Sequence, residues 1–278
     1  MTIKEAINLG SKIINIIDAK SLLKYALNVD NQYLIINYEK ELTNDNINKY
    51  FKQIDLIKNG KPLQYITNKQ EFMGLNFYVN EDVLIPQPDT EILVEETLKI
   101  VEKIKNEQSR KIRILDLCTG SGAIGISIKK MAQNSDIEMW ASDISPKALE
   151  VAKMNTKNIL NDENNIKFIQ SDLFDNIHSL KKFDIIISNP PYIKTEMIKT
   201  LDKDVQNEPI LALDGGIDGC DFYRKIRSNI VNYVDGYVLL EIGYDLKEEV
   251  INIFEGATCK KDYAGNDRVI IWNHFLQR

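Results

Sequence analysis

From about residue 111 onward, short apolar runs alternate with longer mixed stretches, and that alternation leaves few folds open to the chain. Ile112–Leu117, Ile137–Ser142, Ile166–Gln170, Asp184–Ser188 and Tyr237–Ile242 read as strands, and residues 267–274 as a last one. Helices are expected near 122–133, 145–157, 219–234 and 246–255. Strands that alternate with helices in this way build an α/β fold, a parallel, doubly wound, Rossmann-like sheet.

The first 70 residues obey a different period. Ile3, Ala6, Ile7, Ile14 and Ile17 recur at helical spacing, as do Leu22, Leu23, Tyr25 and Ala26. A third stretch, Asn44 to Ile57, sets Ile47, Tyr50, Phe51, Ile54 and Ile57 on one face. Short polar breaks between these pieces suit a small bundle, which by pattern alone serves equally as a packing unit or a partner-docking module. Residues 72–85 turn toward β-type composition and read as a hairpin leading into Pro86-Gln87-Pro88. A long helix is expected over roughly 89–106. The expected domains are therefore a helical one over 1–70, a hairpin linker over 71–88 and an α/β domain over 89–278.

Composition narrows the function classes. Thirty-five Lys and Arg face 41 Asp and Glu, for a net charge of −6. A protein that holds nucleic acid through its phosphates usually shows a basic face, and Lys181-Lys182 and Lys260-Lys261 are too short to make one. Cys118, Cys220 and Cys259 lie far apart, which argues against a disulfide framework or a zinc site, and no metal is expected. No apolar run approaches the ~18 residues of a membrane span, and Glu5 and Lys12 interrupt the start, so a cytoplasmic protein without a membrane partner is expected. With only His178 and His274, chemistry that needs a histidine base starts from poor material.

The run Ile112–Leu117 leads into Cys118-Thr119-Gly120-Ser121-Gly122-Ala-Ile-Gly125. At the first strand-to-helix turn of a doubly wound sheet, ligands bind beyond the carboxyl ends of the strands. Glycines there let the backbone approach a ligand closely. Asp143, after the next strand, can accept hydrogen bonds from both ribose hydroxyls of an adenosine. These residues also satisfy the dinucleotide pattern GxGxxG with an acid some 20 residues on, so NAD(P) or a flavin stays open. A tight turn without ligand is a third reading. Asp116 favours a positively charged sulfonium such as S-adenosyl-L-methionine, which has no pyrophosphate to cradle. Asp172 and Leu173, after the third strand, would then border the adenine, unless Asp172 caps a helix.

Asn189-Pro190-Pro191-Tyr192 directly follows the apolar run Phe183–Ser188. Two prolines cannot continue a central strand, and they fix where the carbonyls of Asn189 and Pro190 point. An amide or aniline-like NH₂ is a poor nucleophile because its lone pair is delocalised. The Asn189 side-chain oxygen can accept one of its N–H groups and the Pro190 carbonyl the other, which orients the nitrogen and stabilises the charge that develops on it. Tyr192 would cover the flat group by stacking. Glutamine amide and adenine N6 present the same geometry, so this clamp does not choose between them. A non-catalytic adenosine-binding scaffold is a further alternative.

A resemblance chooses. Lys61-Pro-Leu-Gln-Tyr-Ile66, Val83-Leu-Ile-Pro86-Gln-Pro88-Asp-Thr-Glu91, Asp116–Gly122 and Ser188-Asn-Pro-Pro-Tyr-Ile193 together are similar to the HemK/PrmC family. Glu208-Pro209, Ala212–Gly216, Phe222-Tyr-Arg224, Glu241-Ile-Gly243 and Asp262–Arg268 continue the likeness. That family methylates glutamine N5 in peptide chain release factors. The resemblance implies a seven-stranded class I methyltransferase sheet and an N-terminal helical domain that docks the release factor. The substrate glutamine would lie in the factor's Gly-Gly-Gln loop. By position, Asn189, Pro190, Pro191 and Tyr192 take the substrate amide, and Cys118 to Gly122, Asp143 and Leu173 the S-adenosyl-L-methionine. Gln87 stands where the family's proline loop usually has Arg, and the region before residue 60 matches only in character.

Overall fold

The computed structural model describes residues 1–277 except 109, 133–135, 163–164 and 178–179; His178 lies outside the described residues. Two compact units divide the chain: Met1–Lys69 with Leu201–Asn207, and Gln70–Thr200 with Glu208–Arg278.

In the first unit, Thr2 and Glu5 form a reciprocal capping box that starts α1 (Ile3–Gly10). A second start signal, Asn15 accepting from the amides of Ile17 and Asp18, opens α2 (Ile16–Leu27). The apolar series from Ile3 to Ile17 therefore belongs to two helices, and Ile17 is exposed at the head of the second. α3 (Asn31–Ile36), α4 (Asn44–Lys58) and α5 (Leu63–Thr67) follow. Ile3, Ile7, Leu22, Leu23, Tyr50 and Ile54 are fully buried and form the core of this unit.

The second unit opens with β1 (Gln70–Phe72) and β2 (Leu75–Phe77), an antiparallel hairpin around Met73-Gly74. This hairpin is shorter than the expected 72–85, because residues 78–85 leave the pairing and run as an irregular segment. A 3₁₀ turn at Pro88–Thr90 leads into α6 (Glu91–Glu107). Then come β3 (Ile112–Leu117), α7 (Ala123–Met131), β4 (Ile137–Asp143), α8 (Pro146–Leu160), β5 (Ile166–Gln170) and β6 (Phe183–Ser188). Short α9 (Lys203–Gln206) belongs with the helical unit, where Asn207 donates to the Gly60 carbonyl at 3.1 Å. The chain ends through α10 (Ile210–Leu213), α11 (Asp221–Ile230), β7 (Val234–Glu241), α12 (Lys247–Ile253), β8 (Thr258–Lys261) and β9 (Asp267–Asn273).

Seven strands form one sheet in the order β5-β4-β3-β6-β7-β9-β8. The five from β5 to β7 are parallel, and β9 runs antiparallel to both of its neighbours. This is the α/β sheet expected from the alternation, with one strand the apolar pattern does not reveal. β8 reads Thr-Cys-Lys-Lys and is mostly exposed at the sheet edge, so it carries no apolar run. All six residues of β6 are buried, and apolar cores cover both faces of the sheet. The strand order reverses at β3, with β4 and β5 on one side and β6 on the other, and such a switch point opens a crevice at the strands' carboxyl ends.

One close contact tests the sheet. A Cβ added to Gly236 in β7 would stand 2.2 Å from the Asp184 carbonyl oxygen of β6, a backbone atom that cannot swing away. Gly236→Ala should therefore destabilise the α/β unit by about 1–3 kcal/mol, read as a lower urea midpoint with an unchanged slope. A variant as stable as the parent would contradict the packing described.

Candidate active site

Register brings the two sequence motifs together. Leu117, the last residue of β3, pairs with Ser142 of β4 on one side and Ser188 of β6 on the other. The Ser188 hydroxyl donates to the Leu117 carbonyl at 2.6 Å, so the glycine turn and the Asn-Pro-Pro-Tyr segment leave the sheet side by side. Cys118, Gly120 and Gly122 all take positive φ in that turn. Cys118 does so with a side chain, a conformation that is costly for a non-glycine residue and recurs at functional sites. A side chain on Gly120 would meet nothing within 4 Å, so the turn is open there, whereas Gly122 packs against Ile126 and Ala152.

Asp116 braces the turn from within the sheet. Its Oδ2 accepts from the Thr119 hydroxyl at 2.6 Å and the Gly125 amide at 3.0 Å. Burial pushes its pKa up to about 7, against the pull of those two donors. Asp143, at the end of β4, accepts from the Gly120 amide with one oxygen and the Ser145 amide with the other, each at 2.9 Å. Both oxygens keep a further lone pair, and burial raises this pKa as well.

A cavity of about 390 Å³ lies over these strand ends. Cys118 and Gly120 line it beside Asp143, and Asp172 and Leu173 stand with Phe222 and Lys225 of α11. Asn189 and Pro191 line it too. The structure thus gathers seven of the expected site residues around one space. Thr119, Ser121, Gly122, Pro190 and Tyr192 do not line it. Residues 173–177 form turns, so Asp172 caps no helix.

The Asn-Pro-Pro-Tyr segment is held from behind. Asn189 Nδ2 donates to the Thr90 hydroxyl at 3.4 Å, which leaves Oδ1 as the group Asn189 can present. No described residue donates to the Pro190 carbonyl. Tyr192 turns away from the cavity, and its hydroxyl donates to Glu241 Oε1 at 3.2 Å. Gly215 passes so close to the Tyr192 backbone that a Cβ there would be 2.6 Å from the Tyr192 Cα.

Sequence reasoning missed several wall residues. Glu81–Leu84 and Pro209, Leu211 and Ala212 form the sides of the cavity. Buried Glu208 ties them together, accepting from the Ile85 amide at 2.8 Å. Buried Asn155 of α8 exchanges two hydrogen bonds with the Tyr78 backbone and donates to the Ser121 carbonyl at 2.9 Å. Glu241 entered the sequence reading only within Glu241-Ile-Gly243; a carboxylate inside the apolar run Tyr237–Ile242 is the signal that could have singled it out.

Among the described residues no group of three or more potential metal ligands comes together, and no helix is long and apolar enough to cross a membrane. Comparison with known proteins agrees with the fold. The family model described as PrmC N-terminal domain matches residues 14–67, and that described as methyltransferase small domain matches 94–207. A release factor glutamine methyltransferase of Clostridium acetobutylicum is 45% identical over 91% of this chain and 90% of its own. One of Clostridium botulinum is 42% identical over 91% and 90%. Among solved structures, the hMettl16 catalytic domain in complex with the MAT2A 3′UTR hairpin 1 superposes with a TM-score of 0.53 at 16% identity, covering 77% of this chain and 81% of that one. That likeness concerns the fold alone.

Burial makes Glu241 a probe of this site. Desolvation lifts its pKa from an ordinary 4.5 to about 7, with the Thr90 hydroxyl, Arg268 and Tyr192 pulling the other way. Below pH 4.5 folded and unfolded chains both hold the proton. Between 4.5 and 7 only the folded chain does, so stability falls as pH rises through that window and levels off above it, by about 3 kcal/mol for this group. Glu241→Gln should make the fall of the urea midpoint between pH 4.5 and 7 shallower, with buried Asp116 left to account for the remaining slope. An unchanged slope would show that Glu241 does not titrate there.

Proposed function

The chain belongs to the release factor glutamine methyltransferase family, and on that premise we propose that it transfers a methyl group from S-adenosyl-L-methionine to the N5 amide nitrogen of the glutamine in the Gly-Gly-Gln loop of class I peptide chain release factors. The observation that carries the reading is the placement of Asn189: its NH₂ is engaged by Thr90, its oxygen is left to accept, and it lines the same cavity as the glycine turn and Asp143.

The cavity suits the cofactor. Space is open above Gly120, and Asp143 has lone pairs for two ribose hydroxyls. Asp172, Leu173 and Phe222 offer a wall for the adenine, and the methionine end then reaches toward Cys118 and Asn189. Bound there, S-adenosyl-L-methionine supplies an electrophilic methyl group. We assign Thr119, Ser121 and Gly122 to shaping the turn rather than touching the ligand.

Asn189 Oδ1 and the Pro190 carbonyl would each accept one N–H of the substrate amide and aim its lone pair at the methyl carbon. Pro191, which lines the cavity, offers the flat apolar surface expected of Tyr192, while Tyr192 supports the segment from behind. Fixing the amide in this way supplies orientation, and the two acceptors gain strength as positive charge grows on nitrogen. The methylated nitrogen is acidic and loses its proton without a strong base, which fits a cavity with no histidine among its described lining residues. We assign the helical residues 1–70 to docking the release factor, a reading supported by the PrmC N-terminal domain match. A substrate that works on the ribosome implies a cytoplasmic enzyme, and contact with nucleic acid or membrane has no part in the reading.

The test is label transfer. Incubated with methyl-labelled cofactor, the protein should label a release factor with Gln in its Gly-Gly-Gln loop and leave the Ala form unlabelled. Equal labelling of both forms, or of neither, overturns the proposal. Asn189→Ala should lower kcat by about 10²–10³ while the cofactor Kd measured by calorimetry stays within a few-fold; turnover that survives within a few-fold would remove the clamp.

A further inference from the structure

Asn189 can clamp an amide only if its own amide is turned the right way. The side chain carries an acceptor on one branch and two donors on the other, and the two branches have nearly the same shape. With the branches exchanged, NH₂ would face the substrate NH₂, and donor would meet donor. Something behind Asn189 has to distinguish the two orientations.

Thr90 is the neighbour in contact, since Asn189 Nδ2 lies 3.4 Å from its hydroxyl oxygen. A threonine hydroxyl can donate as well as accept, so alone it would tolerate either orientation. It stops doing so when its proton is claimed by another group. That group is Glu241, the last residue of β7, whose neighbour Leu240 pairs with Ser188 in β6. Glu241 is 1% exposed, Arg268 bonds both Asp89, next to Thr90, and the carbonyl of Ile242, next to Glu241, and the Thr90 hydroxyl pulls the Glu241 pKa down against its burial. Oε1 already takes the Tyr192 hydroxyl, whereas buried Oε2 completes no hydrogen bond. The Thr90 proton can turn to this carboxylate, leaving the Thr90 oxygen only lone pairs for Asn189.

We propose that Thr90 and Glu241 are positioning residues: the ionised Glu241 carboxylate accepts a hydrogen bond from the Thr90 hydroxyl, Thr90 then accepts only from Asn189 Nδ2, and Asn189 Oδ1 is thereby committed to the substrate amide. Arg268 anchors the far end of this relay. It is buried, bonds Asp262 and Asp89 at 3.1 Å each, and reaches the Ile242 carbonyl at 3.3 Å. The Tyr223 hydroxyl donates to the Glu241 carbonyl oxygen at 2.8 Å and holds the end of β7 in place. The Asn189–Thr90 contact is long and Glu241 Oε2 is unfilled. Catalytic hydrogen bonds are commonly slack in a free enzyme and tighten with substrate bound.

This inference rests on the methyl-transfer reading for its kinetic consequence but not for its geometry, so the test reads both. Thr90→Val keeps the shape and removes the hydroxyl; Thr90→Ser keeps the hydroxyl and removes a methyl. Assayed beside wild-type enzyme above pH 8, where Glu241 is ionised, with a release factor and saturating cofactor, Thr90→Val should lower kcat by about 10- to 100-fold with the cofactor Kd within threefold. Thr90→Ser should stay within about threefold of wild type, because only the hydroxyl matters. Combined with Asn189→Ala, Thr90→Val should add nothing further, since both act through one side chain. Crystal structures of the two variants should show Asn189 displaced in Thr90→Val and in place in Thr90→Ser. Full activity with an undisturbed Asn189 in Thr90→Val overturns the relay, as does a Thr90→Ser defect equal to that of Thr90→Val. If wild-type protein labels no release factor, the functional reading fails, and the Asn189 positions in the two crystals still decide the relay.

Discussion

The site depends on the parallel pairing of β3 with β6 at the point where the sheet reverses its strand order. That pairing puts Leu117 opposite Ser188, and the Ser188 hydroxyl locks the last rung by donating to the Leu117 carbonyl. Both motifs of the candidate site begin one residue later on each strand: the glycine turn at Cys118 and the Asn-Pro-Pro-Tyr segment at Asn189. Because side chains alternate faces along a strand, a one-residue slip of β6 would send its whole buried set to the opposite face. Both faces of β6 are buried, so such a slip would press the wrong side chains into each of the two cores, and close packing opposes it. Apolar packing thus sets the position of two polar motifs 71 residues apart.

Around this frame the protein keeps several carboxyls out of water. Asp116, Asp143 and Glu241 all have pKa values raised by burial, and each is partly compensated by donors from the turn or from neighbouring hydroxyls. Desolvated acids reduce stability at neutral pH, so their retention needs a reason other than folding. For Asp116 the reason is local, since it satisfies Thr119 and Gly125 and so shapes the turn. Asp143 offers acceptors at the cavity wall. Glu241 lines neither the cavity nor the turn; its carboxylate accepts from Tyr192 and its carbonyl from Tyr223, behind the Asn-Pro-Pro-Tyr segment.

The cavity walls are less regular than its floor. Residues 78–85 carry no strand, and what holds them is a few buried polar side chains: Asn155 on the Tyr78 backbone and Glu208 on the Ile85 amide. The Lys147–Asp82 ion pair at 3.2 Å is largely exposed on the lysine side and contributes little by comparison. A backbone segment that forms no ladder must find partners elsewhere, and here two side chains from distant elements supply them.

By itself the sequence determined the class of fold and the two motifs that meet at the candidate site. The α/β alternation, the glycine turn after Leu117 and the Asn-Pro-Pro-Tyr break after Ser188 are local patterns, written in period, in glycine and in proline, and each survives without knowledge of the rest of the chain. Exposed β8 escaped because an edge strand of Thr, Cys and Lys has no apolar period to read, and the hairpin was overextended because β-type composition does not say where pairing stops. Tertiary structure alone decided which residues share the cavity, that Tyr192 bonds Glu241 instead of lining that cavity, and what Thr90, Glu208 and Asn155 touch. Those facts come from contacts between residues up to 123 positions apart, and no local pattern encodes them. They follow only from how packed layers bring the ends of distant elements to one place.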